Sequence, residues 1–272
     1  MAFAGQAVWI TGASSGIGAA LARELAARGA RLILSGRNEA ALAGVAADCP
    51  DHLVLPFDTT DYASLPAMVE QAESWSGGVD MLVNNAGISQ RSLAKETAFP
   101  VYQRIVDVDL LAPIALTQAL LPAMVARQSG RLVFVSSVAG KVGAPLRTAY
   151  SAAKFGIIGY ADALRTEMSV EGISVHTIAP GSVQTDVSRN ALTADGSQRG
   201  RSDEAIENGI PADEAARDMI DAIAAGEREI IVARGVELQM GEMRKTPDAL
   251  FDQLAAFIAS GYAQQMEEDA GK

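Results

Sequence analysis

Short apolar runs alternate with longer alanine- and leucine-rich stretches along most of the chain, and this alternation narrows the possible folds more than any other feature. It opens with AVWI at 7–10, a helical stretch at 17–28 and RLILS at 31–35, the sequence form of a βαβ unit. It continues with HLVLPF at 52–57, VDMLVN at 79–84, RLVFVSS at 131–137 and ISVHTIA at 173–179, each preceded by a helical segment. A last helix over 212–225 and the strand REIIVA at 228–233 bring the count to about seven strands. Runs this apolar belong inside a parallel sheet covered on both faces. The expected class is therefore α/β: a doubly wound parallel sheet of about seven strands with helices on both faces, a Rossmann-type three-layer sandwich.

Composition excludes several functions. With 49% hydrophobic and 20% charged residues the chain can bury a large core, so it is globular rather than disordered or fibrous. A formal net charge of -11 repels a phosphate backbone, and no nucleic-acid partner is expected. Cys49 is the only cysteine, and His52 and His176 are far apart, so neither an internal disulfide nor a metal site is predicted. The start of the chain lacks the form of a signal peptide, and charge, Pro or Gly interrupts the apolar stretches. A cytoplasmic protein with no membrane partner is the expectation.

Immediately after the first strand comes TGASSGIG, residues 11–18, and then a helix. Such a turn can be no more than a tight connection. At the first strand-to-helix junction of a doubly wound sheet, however, it lets the backbone approach a pyrophosphate, which then meets free N–H groups and the positive end of the helix dipole. Gly12, Ser14, Ser15, Gly16, Ile17 and Gly18 are thus candidate cofactor-binding residues.

The TGxxxGxG spacing, unlike GxGxxG, resembles the short-chain dehydrogenase/reductase superfamily. Further motifs extend the resemblance over residues 6–233: NNAG at 84–87, a serine ending the fifth strand, YSAAK at 150–154 and PGSVQT at 180–185, all in order. It implies a single-domain oxidoreductase that transfers a hydride between a nicotinamide cofactor and a carbonyl or secondary alcohol. In NAD-binding members an acidic residue commonly ends the second strand and takes the ribose hydroxyls. Here that place reads Ser35-Gly36-Arg37; Gly36 leaves space where a carboxylate would repel a 2′-phosphate, and Arg37 offers a planar donor fork to it. NADP(H) is the expected cofactor, with Ser14 a further contact to that phosphate. By the same resemblance Asp58 receives the adenine amino group, although an Asp in DTTD could equally cap the next helix. Asn85, Ala86 and Gly87 line the ribose, and Pro180, Gly181, Val183 and Thr185 surround the nicotinamide end.

Tyr150 and Lys154 stand four residues apart at the start of a helical segment, on one face. A free phenol has a pKa of about 10, and a nearby cation favours its ionised form, so the pair suits proton exchange with a substrate oxygen. Ser137 lies thirteen residues before Tyr150, the superfamily's separation, and is assigned to hold that oxygen. Ser136, on the opposite face of the strand, is the competing assignment. The resemblance gives Lys154 a second task on the nicotinamide ribose and counts Tyr150 with it among the cofactor-binding residues. The family's fourth active-site residue is an asparagine in a DVNxxG pattern; this chain reads DVDLLA, and Asp109 occupies the place. In the family the helix is kinked there and a backbone carbonyl holds a water linked to the lysine.

Tyr150 is accordingly expected to act as general acid and base, with Ser137, Lys154 and Asp109 around it. The alternative is a non-catalytic NADP(H)-binding redox sensor. SSVAGKVGAPLRTAYSAAKFGIIGY further resembles members grouped with hydroxysteroid dehydrogenases. Helices near 100–127 and 150–169 correspond to the family's subunit-joining pair, implying a homodimer or homotetramer. Arg189, Arg199 and Arg201 fall where the family has a substrate lid and are taken as a solvated loop. Residues 1–233 read as the catalytic, dinucleotide-binding domain and 234–272 as its helical C-terminal extension, on the spacing of Leu250, Phe251, Leu254, Phe257 and Ile258, with a polar end.

Overall fold

The computed structural model describes residues 2–261. Its strands are β1 (Ala7–Thr11), β2 (Arg31–Ser35), β3 (His52–Val54), β4 (Met81–Asn84), β5 (Gly130–Val135), β6 (Ile173–Pro180) and β7 (Glu229–Val232). They form one parallel sheet in the order β3-β2-β1-β4-β5-β6-β7. This is the Rossmann-like architecture that the alternation predicts. The strand order reverses between β1 and β4, where diverging crossovers open a crevice at the carboxyl ends of the strands.

Alternate side chains of the strands feed two separate cores. Val8, Ile10, Leu32, Leu34, Val83 and Val133 point to one face, covered by α1 (Gly16–Ala27) and by α8 (Ala212–Ala224), which follows the one-turn α7 (Glu204–Glu207), through Leu21, Leu25, Met219 and Ile223. Trp9, Ile33, Leu82, Leu132 and Phe134 point to the other, covered by α3 (Leu65–Ser76), α5 (Ala112–Arg127) and α6 (Thr148–Glu167). All eleven of those strand side chains are essentially closed to solvent. At about 1.5–3 kcal/mol for each large aliphatic side chain buried, the two faces dominate the stabilisation of the sheet. Helix α2 (Glu39–Ala46) begins at Asn38, whose side chain accepts the Ala41 N–H at 3.0 Å.

Two elements differ from the pattern in the sequence. β3 stops at Val54 instead of reaching residue 57; it is an edge strand paired only with β2, and past Val54 the chain keeps bonds on that side from Leu55 N–H to the Leu34 carbonyl at 3.0 Å and from Phe57 N–H to the Gly36 carbonyl at 3.1 Å, while Pro56 falls on the unpaired edge. The long helix of 99–127 is not uniform: α4 (Phe99–Val106) passes through a π-helical turn, Asp107–Leu111, into α5. The Ala112 N–H bonds the Asp107 carbonyl, and Pro113 cannot donate to the carbonyl of Asp109, so the regular α ladder cannot continue there.

By length and composition this continuous helix, Phe99–Arg127, is apolar enough to cross a bilayer, with a mean hydropathy of 1.7 over its best window. The interruption by charge, Pro or Gly expected from sequence is present, as Arg104, Asp107, Asp109, Pro113 and Pro122, but does not keep the helix from being that long and apolar. Its inner face packs into the core beside β5 and α6 through Ile105, Leu116, Leu120 and Met124. Past β7, α9 (Gly235–Met243) lies against that strand, and α10 (Asp248–Ala259) lies on α6, where the Arg165 guanidinium sits 4.1 Å from the Phe251 ring centre. The polar end at 262–272 and the Phe257 side chain lie outside the described residues.

Candidate active site

A cleft of about 690 Å³ opens at the reversal of strand order. Every candidate residue named from the sequence lines it, from the glycine turn through Arg37, Asp58 and Asn85 to Ser137, Tyr150, Lys154 and Thr185.

Its floor is a backbone cradle. Gly12 and Gly16 adopt φ of 67° and 53°, left-handed values that favour glycine. A Cβ at Gly12 would lie 2.8 Å from the Ala86 Cα, and one at Gly18 would collide with the Gly12 carbonyl oxygen. The first glycine therefore lets the turn meet the NNAG segment, and the last lets helix α1 start against the turn. Thr11 fastens the two: its hydroxyl accepts the N–H groups of Asn85 and Ala86, each at 3.1 Å, while Asn85 Nδ2 donates to the Thr11 carbonyl at 2.9 Å. Asn84, one residue earlier, is buried and donates to Thr117 Oγ1 at 3.1 Å. Opposite, the Thr185 methyl would be 3.0 Å from a Cβ on Gly16, so the segment after β6 closes down on the turn. A site in which no side chain fits between two loops suits a pyrophosphate, and the residues present fit a dinucleotide.

At the far end of β2, a Cβ on Gly36 would stand 3.5 Å from Ser14 Oγ, so Ser14 and the bare Gly36 face each other. Arg37 is 66% exposed at the side chain, its nearest carboxylate being Asp58 at 3.9 Å. Asp58 caps no helix, since α3 begins after Ser64. Instead its Oδ1 accepts from the N–H and hydroxyl of Thr60 at 2.9 and 2.7 Å. Burial works to raise its pKa, but those bonds and the charges of Arg104 and Arg37 outweigh it and hold the carboxyl below the usual range. Arg104, on α4, also lines the cleft, 3.9 Å from Asp58. No motif pointed to it: only the packing of α4 beside the third strand's loop brings it there.

At the other end Ser137, Tyr150 and Lys154 come together. Ser136 Oγ is buried and donates to the Lys154 carbonyl at 2.8 Å, a bond that ties β5 to α6. Ser137 is half-buried, starts a 3-10 turn by accepting the Ala139 N–H, and reaches the Pro180 carbonyl only at 3.3 Å. Of the two serines, Ser137 has the hydroxyl free to exchange partners. Lys154 Nζ lies 5.6 Å from the Tyr150 ring centre and donates to the Val135 carbonyl at 3.1 Å.

Asp109 projects from the π-helical turn into the same place. Its Oδ1 accepts the Ile88 N–H at 2.8 Å, and Oδ2 faces the Lys154 ammonium at 3.3 Å without hydrogen-bond geometry. Burial is the largest influence on both groups. For Lys154 the charges of Asp109 and Tyr150 overcome it and hold the ammonium above its ordinary value, whereas for Asp109 burial prevails and pushes the carboxyl up.

The arginines after β6 are not all solvated. Arg199 and Arg91 donate to Asp203 at 2.5 and 2.7 Å, and Arg147 lies 3.5 Å from the same carboxylate. One aspartate thus joins the 187–211 segment to the chain entering α6. Arg199 is mostly buried, contrary to the reading of a free loop, because its partner lies four residues on in the sequence.

A family model described as short chain dehydrogenase matches residues 6–196. The chain belongs to the short-chain dehydrogenase family. This short-chain dehydrogenase is 36% identical over 257 residues to "Dehydrogenase/reductase SDR family member 7B" of Mus musculus, covering 92% of this chain and 80% of that protein. It is 40% identical over 238 residues to "Dehydrogenase/reductase SDR family protein 7-like" of Anopheles gambiae, covering 84% and 75%. Among solved structures, a short chain dehydrogenase/reductase from Burkholderia phymatum in complex with NAD superposes with a TM-score of 0.76 at 23% identity, covering 85% of this chain and 90% of that one. At that identity the likeness speaks for the fold. Membership makes the protein an oxidoreductase of the nicotinamide-cofactor class.

Proposed function

We propose that this short-chain dehydrogenase interconverts a carbonyl and a secondary alcohol with NADP(H), using Tyr150 as proton donor and acceptor. The observation that carries the reading is the meeting of Ser137, Tyr150, Lys154 and Asp109 at one end of a cleft whose other end is the glycine cradle. When bound, the cofactor supplies or accepts the hydride.

The protein's own residues do the rest. The Ser137 hydroxyl gives up its long bond to Pro180 and holds the substrate oxygen. The Tyr150 hydroxyl exchanges a proton with that oxygen, and the Lys154 ammonium beside the ring favours the phenolate left when it donates. Asp109 and the Val135 carbonyl fix the ammonium from behind. Ile88, Val187, Leu192 and Ile206 line the cleft and favour a carbonyl flanked by apolar groups. A relative of the same fold holds NAD. For this chain the choice of NADP(H) rests on Gly36, which places no carboxylate beside Ser14, and on the exposed Arg37.

The test is turnover of NADPH with a panel of ketones. Tyr150→Phe should lower kcat by about 10²- to 10⁴-fold, the usual worth of general acid-base assistance, with little change in NADPH affinity. Tight NADPH binding with no carbonyl reduced would reverse the reading in favour of a redox sensor.

A further inference from the structure

The segment after β6 lines the cleft at Gly181 and Val183, and a segment outside regular structure keeps its shape only if its polar groups are held. On one side the returning chain holds it: Ile210 N–H donates to the Ser182 carbonyl and Gln184 N–H to the Ile210 carbonyl, both at 2.9 Å. On the other side the Gly181 N–H donates to the Val232 carbonyl at 2.9 Å, and one carboxylate takes both donors of Ser182. Glu237, in the first turn of α9, accepts the Ser182 N–H on Oε2 at 2.7 Å and the Ser182 hydroxyl on Oε1 at 2.9 Å. A Cβ at Gly181 would come within 2.5 Å of Glu237 Oε2 and 2.8 Å of the Ala233 Cβ. Gly181 is therefore where the carboxylate passes to reach the backbone beyond it.

Helix α9 is itself moored. Just past its last residue, the Arg244 carbonyl accepts from Lys141 Nζ at 3.2 Å and the Thr246 N–H donates to Glu229 at 2.9 Å. Lys141 and Glu229 form a buried ion pair between the turn after Ser137 and strand β7. Glu237 is consequently offered from a helix fixed at its C-terminal end to the same walls that carry Ser137.

We propose that Glu237 is a positioning residue for the cofactor: by holding both polar groups of Ser182 it sets the Gly181–Val183 backbone that receives the nicotinamide half. The inference rests on the cleft being a dinucleotide site, and it adds a function to the C-terminal extension. Charge is not the essential property. Glutamine can still accept the Ser182 N–H on its carbonyl oxygen and offer its amide to the hydroxyl.

The experiment measures binding of NADPH and NADH by their fluorescence, and then, for whichever binds wild type, of its adenosine half alone, adenosine 2′,5′-bisphosphate or ADP. Glu237→Ala should weaken the whole cofactor by about tenfold or more, the order of two lost hydrogen bonds, and leave the half-ligand unchanged. Glu237→Gln should stay within about threefold of wild type. Equal affinity of Glu237→Ala and wild type for the whole cofactor would overturn the proposal, as would a parallel loss for the half-ligand, which marks general loosening. Should Glu237→Ala fail to fold, Ser182→Ala removes the hydroxyl contact alone, and the proposal requires a smaller loss with the same preference. Failure of wild type to bind either dinucleotide would overturn the cofactor reading itself.

Discussion

Asp109 Oδ2 stands 3.3 Å from the Lys154 ammonium, with the two side chains 0% and 6% exposed. The asparagine of the family pattern would bring no charge to that position, so this lysine carries a counter-ion of its own. The π-helical turn makes the meeting possible by turning Asp109 inward, and its other oxygen is occupied by the Ile88 N–H.

Asp109→Asn removes the charge and preserves the bond to Ile88. Lys154 is held above its ordinary value in the folded protein, so its stabilising contribution is complete below the unfolded lysine value and lost as pH rises through the folded one. Without Asp109 the folded value falls towards or below the unfolded one, so in thermal melts between about pH 7 and about pH 11 the alkaline loss seen in wild type should shrink or reverse. Turnover should persist with an altered pH profile. Asp109→Ala should cost about 3–5 kcal/mol in denaturant unfolding, because it leaves a buried ammonium unpaired. An alkaline limb identical in wild type and Asp109→Asn would contradict the pairing.

Gly36→Asp is expected to exchange cofactor preference. The position tolerates a side chain, its nearest neighbour being Ser14 Oγ at 3.5 Å from an added Cβ, and a carboxylate there repels a 2′-phosphate. The ratio of kcat/KM for NADPH over NADH should fall by about tenfold or more, and Arg37→Ala should lower it in the same direction, each tenfold being about 1.4 kcal/mol. A ratio unmoved by both variants would remove the argument for NADP(H).

Asp203 gathers Arg91, Arg147 and Arg199 between the 187–211 segment and the start of α6. Although burial raises its pKa, hydrogen bonds from Arg91, Arg199 and Ser188 prevail and hold it far below the carboxylate range. The stability it contributes is present above the ordinary aspartate value and is lost as pH falls through the folded one. Asp203→Asn should therefore flatten the acid limb of a melting curve, raise KM for the carbonyl substrate and change kcat less, measured in steady state. An unchanged KM would mean that the segment does not cover the substrate.

His176 is buried on β6 with its ring satisfied in the neutral form: Nδ1 at 2.6 Å from the Glu227 carbonyl, which requires a donor, and Nε2 at 3.3 Å from Ser174 Oγ. Burial is the main cause that pushes its pKa down to about 4. The unfolded chain then binds a proton that the folded one does not, so stability falls as pH drops from about 6.5 to about 4. His176→Asn should shed this slope, worth up to about 3 kcal/mol, in unfolding curves taken across that window. Equal slopes would show that another group carries the acid response.

The sheet and the cradle were legible because each depends on residues close in sequence. Alternating Val, Ile and Leu build strands with two buried faces, and TGASSGIG acts within one strand-turn-helix unit, so composition and spacing state the outcome directly. Tyr150 and Lys154 belong to the same class, being one helical turn apart. Arg104, Glu237 and Asp203 are different. Their partners lie 46, 55 and up to 112 residues away, and no local pattern marks a glutamate as the one that will meet Ser182. The sequence by itself determined the fold, the glycine turn and the one-turn spacing of Tyr150 and Lys154. Only the tertiary structure decided that Asp109 is driven into contact with Lys154 by a π-helical turn, that Ser136 is spent on a backbone bond while Ser137 is free, and that α9 returns to clasp the segment after β6. The reason is physical: side-chain chemistry and short-range periodicity are properties of the chain, whereas burial and charge pairing arise when distant segments share one space.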